Sequence, residues 1–97
     1  AVGVDSGSSA LSLALKVIEI GNGDEVITVP NTFISTAYAI SDCGGKPVFV
    51  DVEEQTQLMD ISMVESAVTS KTKAIIPVHL FGQMVDMNSL MKIAKKY

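Results

Sequence analysis

The stretch Glu25-Val26-Ile27-Thr28-Val29-Pro30 decides the fold, because it is a short β-branched run that a proline stops. Such a run is typical of a β-strand. A predicted helix over about residues 8–20 precedes it, and its apolar residues recur on one face: Leu11, Ala14, Leu15 and Ile18. A helix followed closely by a strand indicates an α/β protein.

The same alternation continues along the chain. Residues 1–4 are predicted to form or end a strand, and further strands are predicted at 47–52 and 73–78. Helices are predicted from Asn31 or Thr32 to residue 40 and over residues 60–69. Asp86 is predicted to cap a last helix with four inward residues: Met87, Leu90, Met91 and Ala94. Four β-α units predict a three-layer α/β/α fold with a mostly parallel sheet.

Composition narrows the possible partners and location. The 97 residues allow one core, and the net charge of −4 argues against nucleic acid or an anionic membrane as a partner. The lone cysteine, Cys43, fits a reducing compartment and is interpreted as a small core residue. No apolar run reaches the roughly 20 residues of a membrane span, and no signal peptide is recognisable. The sequence therefore predicts a cytoplasmic protein.

In folds of this kind, functional groups gather where strands end and helices begin. The first such segment is Ser6-Gly7-Ser8-Ser9, which opens the first predicted helix. Unpaired N–H groups and partial positive charge make a helix start suitable for a phosphate, and Ser8 and Ser9 add hydroxyl donors. Plain N-capping by Ser6, with no ligand, explains the same residues.

Two further segments of this kind follow the later strands. Phe33 comes directly after a strand and either stacks on a flat heterocycle, with Asn31 and Thr32 contacting a substrate, or is an ordinary core residue. His79, the only histidine, has no second ligand at a metal-binding spacing, and no nucleophile elbow supports a Ser–His–Asp triad. The alternative for His79 is a partly buried structural histidine. No metal site is predicted.

Taken in order, these segments resemble the DegT/DnrJ-type nucleotide-sugar aminotransferases, which are pyridoxal-phosphate enzymes with the aspartate-aminotransferase fold. The resemblance extends from end to end of the chain, and the ordered set is far more specific than any single piece. The matching residues are Ser6-Gly7-Ser8, Ala10-Leu11, Ile20-Gly21, 23–27, Pro30, Thr32-Phe33, 47–51, 72–83, Asp86-Met87 and 93–96.

The resemblance implies a pyridoxal phosphate site. It implies that Ser8 and Ser9 bind the phosphate, that Phe33 stacks on the pyridine ring, and that His79 lies at a strand end facing the cofactor. It further implies a homodimeric parent that moves an amino group, usually from glutamate, to a nucleotide-linked keto-sugar. Residues 1–97 then correspond to a fragment of the cofactor-binding large domain.

The chain departs from the family in length and in its lysines. All seven basic residues are lysines, and none stands in the sequence context of the family's Schiff-base lysine. That lysine and the aspartate that pairs with the pyridine nitrogen are expected well after Tyr97 in a longer parent. No catalytic residue is therefore assigned within the chain, and the chain alone is predicted to be inactive.

Three alternatives remain open from the sequence. One is a non-transaminating relative of the family, either a dehydratase or a regulator. Another is an inactive folded fragment or interaction module, which is predicted to expose apolar surface and to associate rather than remain a monomer. The third is an actin-like ATPase, suggested by residues 2–9, which requires that turn to join two antiparallel strands instead of opening a helix.

Overall fold

A computed structural model describes all residues 1–97. It contains four helices, three strands and one 3-10 turn, which bear out the predicted α/β class. In chain order these are α1 (Gly7–Val17), β1 (Glu25–Thr28), α2 (Ser35–Asp42), β2 (Lys46–Phe49), α3 (Ile61–Ala67), β3 (Thr72–Ile75), the 3-10 turn (Leu80–Gly82) and α4 (Met87–Lys96). Because α1 begins within residues 2–9 and continues to Val17, this turn opens a helix and does not join two strands, so the actin-like alternative is wrong.

The three strands form one parallel sheet in the order β2-β1-β3. The predicted strand at residues 1–4 does not form, because these residues are exposed and no neighbouring strand offers them backbone partners. The protein therefore has three strands, not the predicted four. The central strand β1 forms where its β-branched run predicts a strand, and it is buried along its whole length.

Two apolar clusters lie on opposite faces of this sheet. Val26 packs with α1 and α2, in a cluster that contains Leu15, Ile20, Ala39 and Ile40. Ile27, the next residue, points the other way into a cluster with α3 and α4: Val29, Val50, Leu58, Met59, Val64, Val85 and Leu90. Successive side chains of a strand alternate between faces, so one strand fills both clusters. The predicted three-layer α/β/α arrangement is confirmed.

Two helices begin at the capping residues that the sequence predicts, and a third begins later than predicted. Asp60 and Asp86 cap α3 and α4 through their side chains, as predicted. The helix predicted from Asn31 or Thr32 begins only at Ser35, after a cap residue whose side chain makes no hydrogen bond. The Nδ2 of Asn31 donates to the carbonyl oxygen of Gln57, and Asn31 makes no capping hydrogen bond with the helix.

The buried faces of α1 and α4 contain fewer residues than the sequence predicts. In α4, Leu90 is buried and Met87 is half-buried, but Met91 and Ala94 are exposed. They border an apolar groove of about 340 Å³ between α4 and β3. The outer edge of β3 has no neighbouring strand. In α1, Leu15 is buried and Leu11 half-buried, whereas Ala14 and Ile18 are exposed. No helix combines the length and apolar character needed to cross a membrane.

Candidate functional site

Two of the predicted site residues lie in loops that leave the carboxyl ends of strands. Phe33 lies in the loop after β1, and His79 lies in the loop after β3. The start of α1 joins them at the same edge of the sheet, because the Ser8 hydroxyl donates a hydrogen bond to the Ser35 hydroxyl over 2.7 Å. Ser35 is the first residue of α2, two positions after Phe33. The structure thus brings Ser8 close to the segment that holds Phe33.

The first turn of α1 is built around a serine cap. Ser6 has an extended backbone, and its Oγ accepts a hydrogen bond from the backbone N–H of Ser9 at 3.2 Å. The Ser6 and Ser9 hydroxyls are also within hydrogen-bonding distance of each other, at 3.0 Å. The capping that the sequence offered as an alternative to phosphate binding is therefore present. Capping engages the N–H of Ser9 and leaves other first-turn N–H groups free of helix partners.

Gly7 faces open space. A Cβ placed there would meet no atom within 4 Å, and the packing of this chain therefore does not require a glycine. A glycine that nothing in its own chain demands fits a ligand that approaches the backbone closely. The start of α1 thus has the free N–H groups, the adjacent hydroxyls and the room that a phosphate needs.

Ser8 and Ser9 line one shallow depression of about 460 Å³. Its other lining residues are Val4, Ser12, Leu13, Lys16 and Tyr38. Lys16 supplies a positive charge there, although its Nζ also lies 3.9 Å from a carboxylate oxygen of Asp42. From the sequence, no role is assigned to Lys16 or Ser35. The three-to-four-residue spacing of Ser9, Ser12 and Lys16 on a helix could have indicated their common face.

Asp5 gives the same region a negative charge. A hydrogen bond from the Ser9 side chain, with smaller contributions from backbone N–H groups, lowers the pKa of the Asp5 carboxyl from its usual value. Asp5 is therefore ionised at neutral pH and lies beside the helix start that would hold a phosphate. Like charges repel, so Asp5 opposes anion binding while Lys16 favours it.

Phe33 is 74% exposed, so the alternative of an ordinary core residue is wrong. β1 ends at Thr28 and α2 begins at Ser35, and the intervening loop carries the ring outward. An aromatic side chain with most of its surface exposed is available for stacking on a planar ligand. Asn31, which the sequence offered as a substrate contact, instead donates to the carbonyl oxygen of Gln57 at 2.9 Å.

His79 is exposed, so it is not the partly buried histidine of the alternative reading. Its Nδ1 accepts a hydrogen bond from the backbone N–H of Val85 at 3.2 Å. This contact fixes the ring and leaves Nε2 as the donor in the neutral imidazole. The ring makes no hydrogen bond with Ser8 or Ser9, and His79 does not line the depression that contains them.

No group of histidine, cysteine and acidic side chains in the structure is arranged to hold a metal ion. The lysines, apart from Lys16, lie away from the Ser8 depression. Three ion pairs engage Lys46, Lys73 and Lys96. The arrangement therefore offers polar donors suited to an anion and an exposed ring suited to stacking.

The profile of the DegT/DnrJ/EryC1/StrS aminotransferase family matches residues 1–97, which is the whole chain. The chain belongs to this family. Membership of this family confirms the resemblance inferred from the ordered motifs. It also accounts for the aspartate-aminotransferase-like layering of the sheet and helices.

Similar proteins of the family are much longer. The chain is 53% identical over 95 residues to dTDP-3-amino-3,4,6-trideoxy-alpha-D-glucose transaminase of Micromonospora megalomicea, and the match covers 98% of this chain. It covers only 25% of that transaminase. This family member therefore spans about a quarter of the length of the curated relatives it matches.

Solved structures of the family superpose closely. DesV of S. venezuelae, in complex with a ketimine intermediate, matches with a TM-score of 0.95 and 44% identity over 98% of this chain and 26% of its own. A putative sugar aminotransferase of Streptococcus pneumoniae in its PMP form matches with a TM-score of 0.90 and 42% identity, over 95% of this chain and 23% of its own. The family's sugar aminotransferases thus share the backbone seen here.

Proposed function

We propose that residues 1–97 are the front part of the cofactor-binding large domain of a pyridoxal-phosphate sugar aminotransferase. One observation carries the proposal: the Ser8–Ser35 hydrogen bond joins the phosphate-compatible start of α1 to the segment that presents Phe33. Membership of the family and the PMP form of a superposable relative support it.

In this proposal each site residue has a distinct task. The free N–H groups of the first turn of α1, with the Ser8 and Ser9 hydroxyls, hold the phosphate. The exposed ring of Phe33 stacks on the pyridine face. His79, with its Nδ1 fixed by Val85, presents Nε2–H as a donor toward the cofactor side of the sheet edge.

The cofactor, when bound, supplies the electron-accepting ring on which amino-group transfer depends. The chain's own residues bind and orient it but do not react with it. None of the seven lysines has the Schiff-base lysine's sequence context, so this chain is proposed to be inactive by itself. The longer protein would transfer an amino group from glutamate to a nucleotide-linked keto-sugar, as a cytoplasmic homodimer.

Pyridoxamine 5′-phosphate is the appropriate probe, because its amine cannot form a Schiff base with a surface lysine. Titrated into the 97-residue chain, it is expected to show saturable binding by its fluorescence, and inorganic phosphate is expected to displace it. Absence of saturation up to about 1 mM would contradict the proposed site.

The proposed inactivity has its own test. The chain mixed with pyridoxal phosphate, glutamate and a nucleotide-linked keto-sugar is expected to produce no amino-sugar above the level of the cofactor alone. Turnover that depends on the chain would show that a residue within it performs the chemistry. A longer protein containing this sequence is expected to be active in the same assay.

A further inference from the structure

The segment after β2 forms a rigid hairpin over residues 51–60, here called the 51–60 hairpin. Val52 and Met59 pair as an antiparallel bridge at its base, and the backbone N–H of Glu53 donates to the carbonyl oxygen of Leu58 at 2.9 Å. Leu58 and Met59 are buried in the cluster shared with α3 and α4. The hairpin is therefore fixed to the core at its base, and its tip is exposed.

Two side-chain amides from different loops bind adjacent carbonyls of this hairpin. Asn31, in the loop after β1, donates from Nδ2 to the Gln57 carbonyl oxygen at 2.9 Å. Gln83, in the loop after β3, donates from Nε2 to the Thr56 carbonyl oxygen at 3.0 Å. The hairpin thus connects the two loops, which make no such amide contact with each other.

The backbone of Gln57 is unusual in a way that bears on this connection. Its φ is +59°, a left-handed conformation that a residue other than glycine adopts at some cost. Its own side chain donates to the Glu54 carbonyl oxygen at 2.9 Å, which helps to hold the turn. Strain of this kind persists where the surrounding structure determines it, and here it accompanies the carbonyl that Asn31 binds.

Each of the two side-chain amides lies near one of the proposed ring-facing residues in the sequence. Asn31 lies two residues before Phe33, and Gln83 lies four residues after His79. The backbone N–H of Val85, two residues after Gln83, donates a hydrogen bond to the ring of His79. Each amide contact is therefore close in sequence to one of the two side chains proposed to face the cofactor ring.

We infer that Asn31 and Gln83 are positioning residues, which set the placement of Phe33 relative to His79 through the 51–60 hairpin. The inference rests on the proposed function, since the ligand so positioned is a pyridoxal or pyridoxamine phosphate. Neither residue contacts that ligand. Loss of either amide frees one loop from the hairpin and spoils the geometry that both loops share.

The first experiment needs no ligand. Backbone amide NMR spectra are recorded for the 97-residue chain with Asn31→Ala, with Gln83→Ala and with the control Gln55→Ala. Gln55 is exposed in the same hairpin and its side chain makes no hydrogen bond. Asn31→Ala is expected to shift the resonances of residues 79–85, and Gln83→Ala those of residues 31–34. Shifts confined to each variant's immediate neighbours would overturn the connection.

The second experiment measures pyridoxamine 5′-phosphate affinity by fluorescence in the same variants. Asn31→Ala and Gln83→Ala are each expected to weaken binding about fivefold, the effect of one ordinary hydrogen bond, with Gln55→Ala unchanged. Unchanged affinity in both variants would overturn the positioning role. Where an alanine variant does not fold, Asn31→Leu or Gln83→Met replaces it, because each keeps the side chain's size without its donor.

The two experiments separate the inference from the proposed function. If the unsubstituted chain binds no pyridoxamine 5′-phosphate, the proposed site fails and the positioning of that ligand fails with it, whatever the spectra show. If the unsubstituted chain binds the probe but the spectra show no effect between the two loops, the proposed site stands and the positioning inference alone is overturned.

Discussion

The Ser8 hydroxyl donates a hydrogen bond to the Ser35 hydroxyl over 2.7 Å, and this bond joins the first turns of α1 and α2. The two residues are 27 positions apart in the chain, and each lies in the first turn of a helix. Both helix starts therefore direct their partial positive charge toward one region beside Phe33. This convergence gives the proposed phosphate contact a defined place and leads to the first prediction.

Replacing Ser8 with alanine is expected to weaken pyridoxamine 5′-phosphate binding by about tenfold, because the Ser8 O–H, which donates to Ser35 in this structure, is proposed to turn to the charged phosphate when the ligand binds. Fluorescence titration measures the change. Ser12→Ala is the matched control, since Ser12 lines the same depression one turn further along α1. Equal affinities for Ser8→Ala and the unsubstituted chain would remove Ser8 from the site.

Replacing Phe33 with leucine is expected to weaken the same binding while leaving the free energy of unfolding within about 0.5 kcal/mol, since the ring is exposed. Urea unfolding and the fluorescence titration together make the distinction. Phe81→Leu is the control, because Phe81 is 98% exposed and no role in binding is proposed for it. A large loss of stability on Phe33→Leu would instead indicate a packing role.

The carboxylate of Glu25 predicts how stability depends on pH. The Thr69 hydroxyl donates to it at 2.6 Å and Lys46 lies at 3.3 Å, and these contacts lower the pKa of Glu25 in the folded chain. A lowered pKa stabilises the fold above the unfolded value of about 4.3, and this contribution is lost as pH falls through the folded pKa. Acidification below about pH 4.3 is therefore expected to destabilise the chain.

Glu25→Gln tests this assignment. The variant lacks the ionisable group, so its free energy of unfolding is expected to fall less between pH 6 and pH 3 than that of the unsubstituted chain. Urea unfolding at a series of pH values measures the difference. Glu54→Gln, an exposed carboxylate with no hydrogen bond to its side chain, is expected to follow the unsubstituted chain. Parallel curves for Glu25→Gln and Glu54→Gln would contradict the prediction.

Gly45 is required by packing and not by its backbone angles. A Cβ at this position would lie 2.6 Å from Cγ2 of Ile20 and 3.2 Å from Cγ2 of Ile40. Gly45→Ala is therefore expected to cost roughly 1–3 kcal/mol of unfolding free energy, as overpacked core sites do. Gly21→Ala, where an added Cβ meets nothing within 4 Å, is expected to cost much less. Equal melting temperatures for the two variants would refute the steric argument.

The apolar groove between α4 and β3 predicts self-association. Its lining includes Ile75, Leu90 and Ile93, and the outer edge of β3 presents unpaired backbone groups. Light scattering is expected to detect species larger than a monomer, and Met91→Lys, which places a charge at the groove, is expected to reduce them. Met84→Lys, outside the groove, is the control. A monomeric unsubstituted chain would contradict the prediction.

The sequence predicted the parts of this fold that depend on neighbouring residues. The β-branched run around Val26 and Ile27 placed the central strand, and Asp60 and Asp86 placed two helix starts, because each signal is local. The strand predicted at residues 1–4 is wrong, since a strand needs a partner strand and no pattern within four residues reveals one. Met91 was misplaced for a related reason, because the helix spacing does not say how much of its face is covered.

The candidate site was predictable only in its separate pieces. Ser8, Ser9, Phe33 and His79 were identified from their places at strand and helix ends and from the family resemblance. Their binding roles stay predictions. The contacts that relate them were not visible, because the Ser8–Ser35 and Gln83–Thr56 hydrogen bonds each connect residues 27 positions apart. No periodic pattern indicates a contact at that separation.

The buried residues of the two core clusters are synthesised at different times. The cluster beneath α1 and α2 has its last fully buried residue at Ile40, whereas the opposite cluster has its last at Leu90, fifty residues later. As the polypeptide leaves the ribosome from its N-terminal end, one side of the sheet has its whole buried set available while the other still lacks α3 and α4. The buried residues of one face therefore precede those of the other in the chain, and Ile27 precedes its partner Leu90 by the greatest distance within its cluster.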